Sequence, residues 1–101
     1  MRILVNVHIP HEPFNTLVRE GTVGAVISRI VEACKPEVIY FTELNRKRGA
    51  VLVVDLAEAS DLPSIAEPWF LQLNAECEFR IAMKPEDLQK AGLDALGAKW
   101  K

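Results

Sequence analysis

The feature that most constrains this chain is a set of predicted β-strands that are apolar on both faces. Residues 50–54 (Ala-Val-Leu-Val-Val) form an unbroken apolar run, and residues 38–41 (Val-Ile-Tyr-Phe) form a second one. A strand with one solvated face alternates apolar and polar residues, whereas a strand covered on both faces is continuously apolar. Half of the 101 residues are hydrophobic, which is more than one small core obviously needs. We therefore expect a sheet that is covered on both sides.

Four segments have the apolar patterns of strands, separated by segments with helical patterns. The four are residues 2–9, 38–42, 50–54 and 76–83. Between the second and third, residues 45–49 have the polar, glycine-ended composition of a hairpin turn. The order of elements is therefore β-α-β-β-α-β, followed by a terminal helix.

The clearest helical signal is an apolar stripe over residues 23–34, spaced i, i+3, i+4, i+7, i+8 and i+11. An earlier short helical segment has its apolar residues on the opposite side, so we expect a restart near Gly21. The second main helix begins at Ser60 or Asp61. Pro68 is expected to kink that helix or divide it in two, because proline lacks an N–H and clashes with the preceding turn.

This order is the split βαβ, or ferredoxin-like, βαββαβ arrangement. Right-handed crossovers place both main helices on one face of a four-stranded antiparallel sheet, with an expected strand order of 4-1-3-2. The sequence thus predicts one α+β domain over residues 1–101, with a C-terminal helix that opens at Pro85. The other sheet face is left either for that helix or for a second subunit, and we favour a homodimer through the open face.

Charge and cysteine content restrict the class of partner and the compartment. The formal net charge is −2, which gives no electrostatic footprint for nucleic acid, and the basic run at residues 46–48 suits a solvated turn. No stretch approaches the roughly 18 apolar residues of a membrane span. Cys34 and Cys77 lie far apart and outside any CxxC pair. They indicate buried thiols in a cytoplasmic protein.

Five segments that together span nearly the whole chain carry a resemblance. They are Val18-Arg19-Glu20-Gly21-Thr22-Val23-Gly24, Pro36-Glu37-Val38-Ile39-Tyr40-Phe41-Thr42-Glu43, Arg48-Gly49-Ala50-Val51-Leu52-Val53-Val54-Asp55, Ala66-Glu67-Pro68-Trp69-Phe70 and Met83-Lys84-Pro85-Glu86-Asp87-Leu88. In these the chain resembles small uncharacterised bacterial proteins of the dimeric α+β barrel superfamily. At fold level it is similar to muconolactone-isomerase-like and antibiotic-biosynthesis-monooxygenase-like proteins. The resemblance implies a homodimer whose paired sheets enclose a cleft in each subunit, but it transfers no activity.

Polar residues interrupt the open face of the predicted sheet at a few positions. With Ile3, Val5, Val7 and Ile9 toward the helices, Asn6 and His8 face the other way, and Glu78 and Arg80 join them from the neighbouring fourth strand. In a catalytic interpretation His8 is the acid or base, while Asn6 and Arg80 polarise a substrate oxygen. In the alternative, Glu78 and Arg80 form interfacial ion pairs.

Further ligand contacts are expected from Leu4, Tyr40, Thr42, Glu78 and Trp69. Trp69 also fits an ordinary core position on a helix. The string His8-Ile9-Pro10-His11-Glu12 lacks the helix that zinc-binding strings of this kind need, so no metal site is predicted. No cofactor fingerprint is present, and no cofactor is expected.

Two classes of function remain open from the sequence. The first is a homodimer that binds or converts a small organic ligand, aromatic or polyketide-like, in the cleft. If it is an enzyme, the class is a cofactor-independent isomerase or monooxygenase. The second is a non-catalytic assembly module whose apolar open face serves only to associate.

Overall fold

A computed structural model describes residues 1–101 and shows a four-stranded antiparallel sheet with order β2-β3-β1-β4. The strands are β1 (Arg2–His8), β2 (Val38–Leu44), β3 (Lys47–Asp55) and β4 (Glu76–Ala82). The helices are α1 (Phe14–Glu20), α2 (Val23–Cys34), α3 (Leu62–Leu73), α4 (Pro85–Lys90) and α5 (Leu93–Lys99), and a 3₁₀ turn at Ala59–Asp61 precedes α3. The central strands are β3 and β1, so β2 and β4 form the edges.

The structure corrects the predicted ferredoxin-like βαββαβ arrangement with strand order 4-1-3-2. The elements run β-α-α-β-β-α-β-α-α, and the sheet order is β2-β3-β1-β4. Both orders name the same strand neighbours, counted from opposite edges, so the error lies in the helical elements. Gly21 (φ 73°) and Gly92 (φ 69°) adopt the left-handed conformation that only glycine takes readily. Each separates two helices: the break at Gly21 was expected, whereas the break at Gly92 divides the predicted C-terminal helix into α4 and α5.

Two further local expectations have clear outcomes. The restart near Gly21 is confirmed, because α1 ends before it and α2 begins two residues after it. Pro68 does not divide the second main helix, since α3 runs unbroken from Leu62 to Leu73. The carbonyl that Pro68 leaves without a donor belongs to Ser64, which is exposed, so water can satisfy it.

The hydrophobic core lies between one sheet face and two of the helices. Alternate residues of β1 and β3 supply the sheet side, and α2 and α3 supply the helical side. The fully buried members are Val5, Val7, Ala50, Leu52, Trp69 and Leu73. No charged or polar side chain is buried there. This face is the one in which burial of apolar surface stabilises the single chain.

The last nineteen residues, 83–101, are here called the C-terminal arm. Every one of them is exposed. The molecule measures 60 × 29 × 19 Å, which is long for a chain of this size. The alternative in which the C-terminal helix covers its own open sheet face is therefore not what this chain adopts.

Candidate functional site

On the open face of the sheet, residues that pair across the four strands form rows perpendicular to the strands. One row runs Val38–Val53–Leu4–Arg80, the next Tyr40–Val51–Asn6–Glu78, and the third Thr42–Gly49–His8–Glu76. Each row contains one residue from every strand, because the four strands are paired without interruption. The first two rows are apolar on β2 and β3 and polar on β4.

The central observation at this face is a close pair between His8 and Glu78. The imidazole Nε2 of His8 lies 2.6 Å from Oε1 of Glu78, although the residue directly opposite His8 is Glu76. The pair is therefore diagonal, and long side chains can span the diagonal of an antiparallel sheet. The His8 side chain is 26% exposed and the Glu78 side chain 58% exposed, so water reaches both groups.

The geometry of this pair fixes how the imidazole is used. An ionised carboxylate only accepts hydrogen bonds, so Nε2 of His8 carries the proton and donates a hydrogen bond to Glu78. In the neutral ring the other nitrogen, Nδ1, is then an acceptor, and it has no hydrogen-bond partner within the chain. A histidine oriented in this way by a carboxylate can take a proton from a bound molecule.

A cleft of about 490 Å³ opens beside this pair at one end of the sheet. It lies where β1 ends, where β4 begins and where the β2–β3 hairpin turns. Its lining is His8, Ile9, Pro10, Leu44, Asn45, Lys47, Asn74, Glu76, Cys77 and Glu78. The volume is within the usual range of small-molecule sites. Most of the lining is polar, and its apolar side chains are those of Ile9, Leu44 and Cys77.

Cys77 lines this cleft, but its half-buried thiol is poorly suited to act as a nucleophile. Burial, with a smaller contribution from nearby Cys34, raises the pKa of Cys77 to about 12. Burial likewise raises the pKa of Cys34. Both cysteines are free, and a thiol that stays protonated at neutral pH is a poor nucleophile and a poor metal ligand.

Asn6 and Arg80 lie on the same face as the His8–Glu78 pair, at different distances from it. Asn6 is directly opposite Glu78 and one row from His8. Arg80 is opposite Leu4, two rows from His8, which at about 3.3 Å per residue is roughly 13 Å along the sheet. Within one subunit the structure therefore brings Asn6 toward the pair and leaves Arg80 apart from it.

The predicted ligand contacts divide between the two sides of the sheet. Leu4 is half-buried on the open face, where Tyr40 and Thr42 are exposed. Trp69 is a correction, because it is fully buried in the core beneath the opposite face. Ile65, Trp69 and Leu73 recur at helical spacing and point together toward the sheet, so Trp69 cannot contact a ligand on the open face.

Several cleft residues escaped sequence reasoning. Asn45 and Lys47 come from the hairpin, and Asn74 precedes β4. Asn45 and Arg46 both have positive φ, 53° and 67°, as a tight two-residue hairpin turn requires. A turn of that type fixes the β2–β3 register. The turn sequence was therefore the one signal from which the position of the hairpin tip beside the end of β1 could have been predicted.

Comparison with known proteins adds no family assignment. A search of protein-family models and of curated proteins finds no match to this chain. No three His, Cys, Asp or Glu side chains converge to form a metal site. None of the helices combines the length and apolar content needed to cross a membrane.

Proposed function

We propose that this protein binds a small organic ligand, aromatic or polyketide-like, in the cleft beside the His8–Glu78 pair. The observation that carries the proposal is the 2.6 Å contact between Nε2 of His8 and Glu78 at the wall of a cleft of about 490 Å³. The apolar rows of the open face continue from this cleft, so a flat apolar ligand with one polar end has a surface for each part.

The chemistry that the pair supports best is proton transfer. In a cofactor-independent isomerisation, Nδ1 of His8 takes a proton from the carbon next to a ligand carbonyl, the electron pair moves to the oxygen, and the proton returns at another carbon. Glu78 stabilises the imidazolium that forms in between. Lys47 lines the cleft and Asn6 lies directly opposite Glu78 on the open face, so these side chains are the candidates for holding the oxygen.

The same proposal includes a homodimer through the open sheet face. That face carries half-buried Leu4, Val51 and Val53, which no element of their own chain covers. A second copy covers them by two-fold symmetry and closes the open side of the cleft. The two free thiols fit a reducing compartment, and we place the protein in the cytoplasm.

A thermal-shift screen of small aromatic and polyketide-like carbonyl compounds tests this proposal. A compound at ten times its Kd stabilises by about 1.4 kcal/mol, which raises the melting temperature by roughly 6–11 °C. His8→Ala and Glu78→Gln are expected to abolish the shift. Glu20→Gln, an exposed carboxylate on α1, is the matched control and keeps it. A shift that survives His8→Ala, or no shift with any compound, contradicts the proposal.

The exposed apolar residues of the C-terminal arm favour a second candidate, a non-catalytic assembly module. Leu93, Leu96 and Trp100 are 45–75% exposed, and they suit association rather than ligand binding. The two candidates differ in the assembled protein. A dimer structure that keeps a void at His8 supports the ligand, and one that fills it with side chains supports assembly alone.

A further inference from the structure

The C-terminal arm is an unpartnered amphipathic segment. Leu93, Leu96 and Trp100 recur at i, i+3 and i+7, which places them on one side of α5. Helices shorter than about 12–15 residues are marginal in water, because their stability comes from packing an apolar face. The α5 helix has seven residues, none of them buried, so it requires a surface that its own chain does not provide.

The total surface shows how much covering is missing. The chain exposes 7034 Å², whereas a compact monomer of 11.3 kDa exposes about 5700 Å². The radius of gyration is 17.1 Å, against about 13 Å for a compact domain of this length. The excess of about 1300 Å² is more than the roughly 800 Å² per partner that a standard stable interface buries.

The open sheet face is only one part of the uncovered surface. Four strands about 4.8 Å apart and seven residues long at about 3.3 Å per residue cover a projected area of about 450 Å². A contact confined to two such sheet faces leaves the arm uncovered. The arm is the other large apolar surface, since five of the thirteen exposed large hydrophobic residues lie within it, at positions 83–100.

We propose that the C-terminal arm is exchanged between two copies of this chain, each arm packing its Leu93, Leu96 and Trp100 side against the partner subunit at the margin of its open sheet face. This inference rests on the homodimer of the proposed function. A second copy is the occupant because the chain has two uncovered apolar surfaces, and two-fold symmetry satisfies both at once. A different partner would need two separate complementary surfaces.

The place where the arm leaves the sheet fits this arrangement. It follows Ala82, which pairs with Arg2 at one end of β1, whereas the cleft lies at the other end, beside His8. Strand β4 is an edge strand, so the arm departs from the margin of the open face. An exchanged arm therefore enlarges the interface and leaves the ligand cleft free.

The fluorescence of Trp100 tests the exchange directly, because the other tryptophan, Trp69, is fully buried. The emission of the full chain and its quenching by acrylamide are followed across a dilution series, with sedimentation at the same concentrations. Exchange predicts that Trp100 is protected and blue-shifted in the dimer and becomes solvated on dissociation. Trp100→Phe, which keeps Trp69, should show no change with concentration.

Each of the other possible results of this experiment refutes a particular part of the proposal. A dimer in which Trp100 stays fully quenchable refutes the exchange but leaves the sheet-face dimer. Trp100 protected at all concentrations, in a monomer, shows that the arm folds onto its own chain and refutes the exchange. A monomer at every concentration refutes the homodimer together with the exchange.

A pair of variants measures the contribution of the arm. Leu93→Asp combined with Leu96→Asp is expected to weaken dimerisation on the order of 100-fold, because each substitution puts a charge into apolar contact. Leu71→Asp is the matched control: Leu71 is 77% exposed on α3, away from both surfaces, and its replacement should leave the dimerisation constant unchanged. Equal effects of the two variants, or no effect of the arm variant, contradict the exchange.

Discussion

Two adjacent residues of β3, Leu52 and Val53, point to opposite faces of the sheet and give a direct test of which face is the core of a single chain. Leu52 is fully buried, and its cross-strand neighbours are Val5 and Ile39. Val53 is half-buried on the open face, next to Leu4. We compare Leu52→Ala with Val53→Ala.

The expected magnitudes differ several-fold. Leu52→Ala leaves a cavity in a close-packed interior and lowers the free energy of unfolding by about 3 kcal/mol, which lowers the melting temperature by roughly 12–24 °C. Val53→Ala removes two carbon groups at about 0.8 kcal/mol each when fully buried. At half burial the loss in the monomer is about 0.8 kcal/mol. In a dimer that covers the open face it rises to about 1.6 kcal/mol.

Urea unfolding at two protein concentrations, one above and one below the dimerisation constant, measures both effects. The cost of Leu52→Ala should be nearly the same at both concentrations, whereas that of Val53→Ala should roughly double at the higher one. A loss below about 1 kcal/mol for Leu52→Ala would refute the assignment of the core. A concentration-independent cost for Val53→Ala would refute the covered open face.

Three further measurements test the burial of Cys77 and the packing around the start of β3. The raised pKa of Cys77 keeps the folded thiol protonated, while the unfolded thiol ionises above about pH 9. The free energy of unfolding should therefore fall as the pH rises through that range. Urea midpoints at pH 8 and pH 10.5 measure this fall, and equal midpoints contradict it. Gly49→Ala places a Cβ 2.7 Å from the Leu44 side chain and should lower the free energy of unfolding in urea by about 1–3 kcal/mol. An unchanged free energy would show that Leu44 moves freely. Arg48→Ala removes a guanidinium 4.3 Å from the Phe14 ring centroid and should lower the free energy of unfolding by about 1 kcal/mol. Arg48→Lys should recover only part of this loss. Full recovery would argue against stacking of the guanidinium on the ring.

The strands were the most predictable part of the fold, because their patterns depend on local alternation alone. Residues 2–9 alternate cleanly, and β1 occupies 2–8. The break at Gly21 was visible because the apolar stripes on its two sides do not align. The break at Gly92 was not, since the left-handed conformation of that residue depends on where the arm runs after β4.

Prediction of the site succeeded where register alone decides and failed where packing decides. Asn6 and Glu78 could be placed on one face because β1 and β4 are neighbours, and they are directly opposite. Trp69 was left open between a ligand contact and a core position, because its helical stripe has the same spacing in both cases, and the structure places it in the core. The hairpin was predicted, but its place and that of Asn74 in the cleft were missed, because loops that meet at one end of a sheet have no sequence periodicity to connect them.

The two ends of the open face are coupled through the environment of the His8–Glu78 pair. In a single chain Glu78 is 58% exposed, so water competes for the hydrogen bond that it accepts from His8. Covering the face by a second copy lowers the local dielectric and strengthens this hydrogen bond, which orients His8 toward the ligand. Substitutions in the C-terminal arm, remote from the cleft, are therefore expected to weaken ligand binding in proportion to the dimer they dissociate. Substitutions at His8 should weaken ligand binding while leaving the dimer intact.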